Sequence, residues 1–181
     1  MRITLVRHGL TDDNQNGIMQ GRRNVLMNDT GRRQCQMLRM KLDKEHFDYC
    51  YVSPLTRTVE TAMILVGDKV EMIPDQRILE REMGELDGKP REMYNAYKYW
   101  DYDLNKDDRG VEPVQSVISR CEDFLNYLKE KYTDESILIV THQAPYRALR
   151  LLIKGKELKG NLIDSMINNC SCETFEVDNN G

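Results

Sequence analysis

No stretch of this chain approaches the run of about eighteen apolar residues that a membrane-spanning helix needs. The N-terminus has no basic segment leading into an apolar run and a cleavage site, which predicts no signal peptide. Positive charge is not in excess: 26 Lys and Arg stand against 30 Asp and Glu, for a formal net charge of −4. That balance gives no general electrostatic case for nucleic acid or an anionic membrane as partner. The pairs Arg22-Arg23 and Arg32-Arg33 are local and read as solvated faces. The five cysteines, Cys35, Cys50, Cys121, Cys170 and Cys172, are odd in number and scattered, and Cys170-Ser171-Cys172 lacks the two-residue gap of a zinc knuckle or a thioredoxin-like motif. They are expected to be reduced core or strand residues of a cytoplasmic protein. No grouping of Cys, His, Asp and Glu has metal-site spacing, so neither a catalytic metal nor another cofactor is expected. Internal repeats, low-complexity runs and an interdomain linker are absent too.

What is present suits one domain with one core: 181 residues, 40% hydrophobic and 31% charged. The run Ile3-Thr4-Leu5-Val6 is too short for a helix and reads as a buried strand. A polar loop from Thr11 to Gly21, with one short helix, follows. Asn28-Asp29-Thr30 is a helix entry, and the helix it opens should run to about Lys44 over Cys35, Leu38 and Leu42. Strands are expected at Phe47 to Val52 and Val70 to Ile73, with a helix between them to about Leu65. Arg77 to Pro90 is a loop of mixed charge. Arg91 to Tyr102 is expected to be one helix. The stripe of Val114, Val117, Ile118, Cys121, Phe124, Leu125 and Leu128 marks another. Ile137 to Val140 is a second clearly buried strand, followed by a helix from about Pro145 to Lys154 and a last strand within Cys170 to Val177. Alternation of this kind predicts an α/β fold, a three-layer α/β/α sandwich with a mostly parallel central sheet.

Two of the buried strands end in histidine. His8 follows Arg7 at the first, with Gly9 free to turn the backbone, and His142 ends the strand of residues 137–140 through Thr141. In open α/β sheets ligands sit at the carboxyl ends of strands, so these two rings are candidates for one site. Either alone would more often be a structural histidine.

The motif Leu5-Val6-Arg7-His8-Gly9-Leu10-Thr11, with Asn14 and Gln20-Gly21, resembles the signature of the histidine phosphatase superfamily, the family of cofactor-dependent phosphoglycerate mutases and their phosphatase relatives. The likeness continues through Asn28 to Gln34, Ser53-Pro54-Leu55-Thr56-Arg57 with Glu60-Thr61-Ala62, the loop of Glu80, Gly84 and Gly88, and Val140-Thr141-His142. The pieces fall in family order over nearly the whole chain. The resemblance implies a single domain over residues 1–181, with a short cap segment at about 89–111. It also implies a metal-independent phosphomonoesterase acting through a phosphohistidine.

In that scheme His8 is the nucleophile, and the forks of Arg7 and Arg57 bind phosphate oxygens. His142 is a phosphate-binding donor. Asn14, Gln20, Gly21 and a backbone N–H at Gln143 serve the substrate. Glu80 is the expected general acid and base, with Glu82 as alternative, and Glu112 resembles a further acidic position near the pocket. Gln143-Ala144-Pro145, Asn24, Leu26 and the Gly110-to-Pro113 stretch depart from the family pattern and affect pocket shape. The partner would be a small phosphomonoester, with α-ribazole phosphate and sugar phosphates among the candidates. A phosphoglycerate mutase and a non-catalytic phospho-ligand binding module are the alternatives. The short segment between the acid loop and Glu112 favours hydrolysis over mutase activity. On a helix, Tyr94, Tyr97 and Trp100 would share a face, either core or a surface for ring-bearing phosphomonoesters in preference to short acids. Oligomeric state is not legible.

Overall fold

The computed structural model describes residues 1–165 and 167–178. In chain order its elements are β1 (Arg2–Arg7), α1 (Asp12–Gln15), α2 (Asp29–Lys41), β2 (Tyr49–Val52), α3 (Thr56–Val66), β3 (Glu71–Pro74), α4 (Ala96–Tyr99), α5 (Val114–Lys131), β4 (Ser136–Thr141), α6 (Gln143–Ile153) and β5 (Cys172–Glu176), with short 3-10 turns between some of them. The strands form a five-stranded sheet in the order β3-β2-β4-β1-β5. All neighbours are parallel except β5, which runs antiparallel along β1.

Strand alternation sorts the core into two layers. Ile3, Leu5, Ile137 and Ile139 face α5 and α6, whereas Val6, Leu138 and Val140 face α2 and α3. The apolar stripe of α5 is buried along its length, from Val114 to Leu128. Asn28 caps α2, its side chain accepting the Gly31 N–H at 2.9 Å. Gly31 is required by contact as well: a Cβ there would lie 2.7 Å from the Leu10 nitrogen. The three-layer expectation is therefore met, with element ends shifted by a few residues, as at Gln143, where α6 begins before Pro145.

One expected element does not form. Residues 91–102 are a 3-10 turn, Arg91–Met93, and the single turn α4, not one helix. Asn95 caps a new start by accepting the Lys98 N–H at 3.1 Å. The chain is then held by non-helical bonds, with Tyr102 N–H donating to Gly160 O at 2.7 Å and Leu162 N–H to Trp100 O at 2.8 Å. Aromatic residues and asparagine are weak helix formers, and these crosslinks to residues 160–162 outweigh local propensity. At its other end the segment is tied to residues 17–19, through Met19 N–H to Lys89 O and Arg91 N–H to Gly17 O, both 2.8 Å.

Candidate active site

Strand register places the two histidines. β1 pairs with β4 so that Arg7 stands opposite Thr141, and the next residue of each strand is a histidine. His8 N–H donates to Thr141 O at 3.0 Å, and the rings lie edge to face with centroids 5.2 Å apart. His8 Nδ1 is 2.8 Å from Gly9 O. A carbonyl only accepts, so Nδ1 carries the proton and Nε2 keeps its lone pair. Burial, then Arg57 and Arg7, hold His8 well below the ordinary imidazole pKa. Burial also lowers His142, with Arg57, His8 and Arg7 adding to it. Its Nε2 is 2.7 Å from Ser53 Oγ, and its buried Nδ1 has no partner. If the Ser53 hydroxyl donates, Nδ1–H is left as an unused donor behind the cavity wall.

Arg7, His8, Asn14, Gln20, Glu80 and Gln143 border one cavity of about 590 Å³. The Glu80 carboxyl accepts three backbone N–H groups, from Arg81 at 2.8 Å and from Gln143 and Ala144 at 3.1 Å each. Glu82 does not border the cavity. Its Oε1 accepts the Met83 N–H, and its Oε2 lies 3.8 Å from Arg22. Glu112 lies behind it, bound by Arg120 at 2.8 Å. Asn14 Oδ1 accepts from Asn169 at 3.0 Å, which leaves the Asn14 amide N–H groups for the cavity. Gln20 donates to Thr11 Oγ1, and its buried Oε1 has no partner.

Two expectations need correction. Gly21 does not border the cavity; its carbonyl accepts Arg57 at 2.9 Å and its N–H goes to Asp87 at 3.0 Å, so it positions Arg57. The Gln143 N–H is not available to a ligand because Glu80 takes it. Arg57 and His142 are fully buried and sit behind the cavity wall, with Arg57 also donating to Arg23 O at 2.7 Å.

The sequence reading missed the cations of the cavity's other side. Arg81, Arg91 and Arg147 border it. Arg81 is buried; it donates to Glu112 O, Tyr99 O and the Tyr94 hydroxyl, and its Nη2 has no partner. Arg7 donates to Ile167 O. These guanidiniums bond to carbonyls and a phenol rather than to carboxylates, and burial lowers Arg7 and Arg57 to about 10, where they stay charged at neutral pH. Arg147 does pair with Asp164, at 3.4 Å. The only signals in the sequence were the position of Arg81 beside Glu80 and of Arg147 one helical turn after Gln143. Of the aromatic trio, Tyr94 and Trp100 reach the cavity, but Tyr97 is 69% exposed and points away. The Trp100 ring is flanked by Arg147 at 4.7 Å and Arg81 at 5.6 Å.

Residues 3–181 match the model of the histidine phosphatase superfamily (branch 1). The chain belongs to that superfamily. It is 30% identical to phosphoserine phosphatase 1 of Hydrogenobacter thermophilus over 165 residues, covering 87% of this chain and 78% of that one. It is also 30% identical to the metal-independent phosphoserine phosphatase of Arabidopsis thaliana, over 92% of this chain and 74% of the relative. Among solved structures, YhfR of Bacillus stearothermophilus superposes with a TM-score of 0.86 at 26% identity, covering 98% and 91% of the two chains. A mutant phosphoserine phosphatase of Entamoeba histolytica in complex with phosphoserine gives 0.82 at 25%, covering 97% and 90%. The match makes this superfamily member a phosphatase-type hydrolase, the class that the sequence motifs imply. No described helix is long and apolar enough to cross a membrane.

Proposed function

We propose that the protein hydrolyses a small phosphomonoester without a catalytic metal, through a phosphohistidine on His8. The observation that carries this is the tautomer lock: Gly9 O holds the proton at Nδ1, which leaves Nε2 its lone pair on a ring that borders the cavity with Arg7. Nε2 attacks phosphorus, the ester P–O bond breaks, and the Glu80 carboxyl gives its proton to the leaving alkoxide. Glu80 then takes a proton from water as that water attacks phosphorus and the P–N bond breaks. Arg7 and Arg57 supply positive charge where a metal would otherwise stand, with His142 as a further donor. Residues 89–111 act as the cap.

The substrate reading follows from charge. Arg7, Arg81 and Arg91 border the cavity with Glu80, whereas Arg147 is paired with Asp164 and Arg57 lies behind the wall, so a phosphate held by Arg7 leaves Arg91 and the unpartnered Arg81 Nη2 for the rest of the substrate. We infer a substrate whose organic part carries a second anion, a carboxylate, since guanidinium forks suit it. The phosphoserine names of two relatives agree with this. The preference for rings over short acids gives way, because Tyr97 points outward and guanidiniums flank Trp100.

Phosphate release from O-phosphoserine and 3-phosphoglycerate, set against phosphoethanolamine, a sugar phosphate and α-ribazole phosphate, tests both parts. Acidic substrates should lead, and turnover should survive EDTA. Loss of activity on chelation, restored by a divalent metal, would overturn metal independence. A best substrate with no second anion would overturn the substrate class.

A further inference from the structure

Backbone and side-chain hydrogen bonds from residues 167–171 hold the Arg7-His8-Gly9 strand end. Cys170 N–H is shared between Arg7 O at 3.1 Å and His8 O at 3.2 Å, and Arg7 N–H donates to Ser171 O at 3.1 Å. Asn169 donates to His8 O at 3.1 Å, and Ile167 O accepts the Arg7 guanidinium. Cys170 has φ +55°, a left-handed conformation unusual for a residue with a side chain. Its sulfur lies 3.3 Å from that of Cys35, which α2 brings directly under Gly9; a Cβ on Gly9 would meet Cys35 Sγ at 2.9 Å. The hydrogen bond from Cys170 draws the Cys35 thiol below its ordinary pKa against the opposing effect of burial. Cys35 is fully buried, whereas Cys170 is half-buried.

We propose that Cys35 and Cys170 form an oxidation site, converted by a hydroperoxide into an intramolecular disulfide that displaces the His8 strand end. Cys35, the more acidic thiol of the pair, first gives its proton to solvent; the Cys170 proton then passes to Cys35 across their hydrogen bond, and Cys170 Sγ attacks the peroxide oxygen. The O–O bond breaks, Cys170 becomes a sulfenic acid, and the hydroxide or alkoxide that leaves takes a proton back from solvent. Cys35 Sγ then attacks the Cys170 sulfur, the S–O bond breaks, and the leaving hydroxide takes the Cys35 proton. Two thiols are oxidised by two electrons and one peroxide is reduced, in balance. Closing the pair from 3.3 Å to a bond of about 2.05 Å draws the two sulfurs together by roughly 1.2 Å. That pull acts on the residues that bond Arg7 and His8, and misplacement of a reacting group by ~1 Å costs on the order of a hundredfold in rate.

The effect on turnover rests on the phosphatase reading, whereas the bond itself does not. Titration of the full chain with hydrogen peroxide should lower its free thiols from the five present in the sequence by two. The intact mass should fall by two hydrogens, and digestion should link the peptides of Cys35 and Cys170. Turnover should fall about tenfold to a hundredfold, returning with dithiothreitol. Cys35→Ser and Cys170→Ser should each be active and resist this loss. A bridge through Cys50, Cys121 or Cys172, or five thiols retained, would overturn the site. A Cys35–Cys170 bridge with unchanged turnover, or equal inactivation of both serine variants, would overturn its coupling to His8. Should the protein release no phosphate from any ester, the mass and digest still decide the bond, and only the phosphatase reading fails.

Discussion

The floor and the roof of the cavity are built on different principles. The floor is set by the sheet: β1 and β4 are in register, so His8 and His142 follow from the pairing of Arg7 with Thr141. It is buried and held by backbone bonds, with Gly9 so close to its neighbours that a Cβ would lie 2.8 Å from Gly31 O. The roof, residues 89–102 with 160–165, has little regular structure and is held by isolated bonds to residues 17–19 and to its own strands of loop. In the proposed mechanism the floor carries the groups for phosphoryl transfer, and the roof those for choosing which phosphate ester arrives. Substitutions in the floor should therefore change the chemical step, and substitutions in the roof should change discrimination.

The largest effect expected on this contrast, after loss of the nucleophile itself, is at Glu80. Glu80→Gln keeps the shape and removes the proton donor, and should lower kcat by about 10²- to 10⁴-fold for an alkyl phosphate. For p-nitrophenyl phosphate, whose leaving group needs little protonation, the loss should be much smaller. Equal losses on both esters, measured by steady-state phosphate release, would break the assignment, and a larger effect at Glu82→Gln would move it there.

The roof predicts the next effect. Arg91→Ala should raise KM for O-phosphoserine by roughly tenfold to a hundredfold, the value of a charge-assisted hydrogen bond of ~1.5–3 kcal/mol. It should leave p-nitrophenyl phosphate nearly unchanged. Tyr97→Ala, at an exposed ring pointing away from the cavity, should change neither. If Arg91→Ala weakens both substrates alike, the roof does not discriminate and the contrast fails.

The floor also predicts how stability varies with acidity. His8 and His142 are held neutral by burial and by the nearby arginines. The unfolded chain binds a proton at each below pH ~6.5, while the folded chain does not. Stability is thus fully present above that value and is lost as pH falls through it, by up to ~1.4 kcal/mol per pH unit for each histidine. Urea unfolding across this range should show the slope, and His142→Gln should reduce it by about one proton. A half slope would mean that one ring is charged in the folded protein, and a flat profile that both are.

The same contrast explains what the sequence revealed. The floor was legible because strand runs are short and apolar and because the residues at their ends are contiguous in sequence: Arg7-His8-Gly9, Thr141-His142. The three-layer order followed from the alternation of such runs with amphipathic stripes like that of α5. The roof was not legible, because its shape depends on contacts between residues far apart, such as Trp100 O with Leu162 N–H. Helical spacing of Tyr94, Tyr97 and Trp100 misled for the same reason. Arg91 and Arg147 drew no reading, because nothing local marks a cation that a distant segment turns inward. Gly21 was placed on the substrate side by its motif, but its carbonyl is spent on Arg57, a contact across 36 residues. Cys35 and Cys170, 135 residues apart, carry no spacing signal at all.

The central claim is that His8 Nε2 takes the phosphoryl group. Rapid mixing of enzyme with phosphoryl-labelled substrate, a quench that avoids acid, and digestion of the chain test it most directly. The account predicts label on His8 alone, stable to base and lost in acid, and no label with residual turnover lower by at least about 10³-fold in His8→Ala. Label on His142 or on a carboxylate, or substantial turnover by His8→Ala, would contradict it.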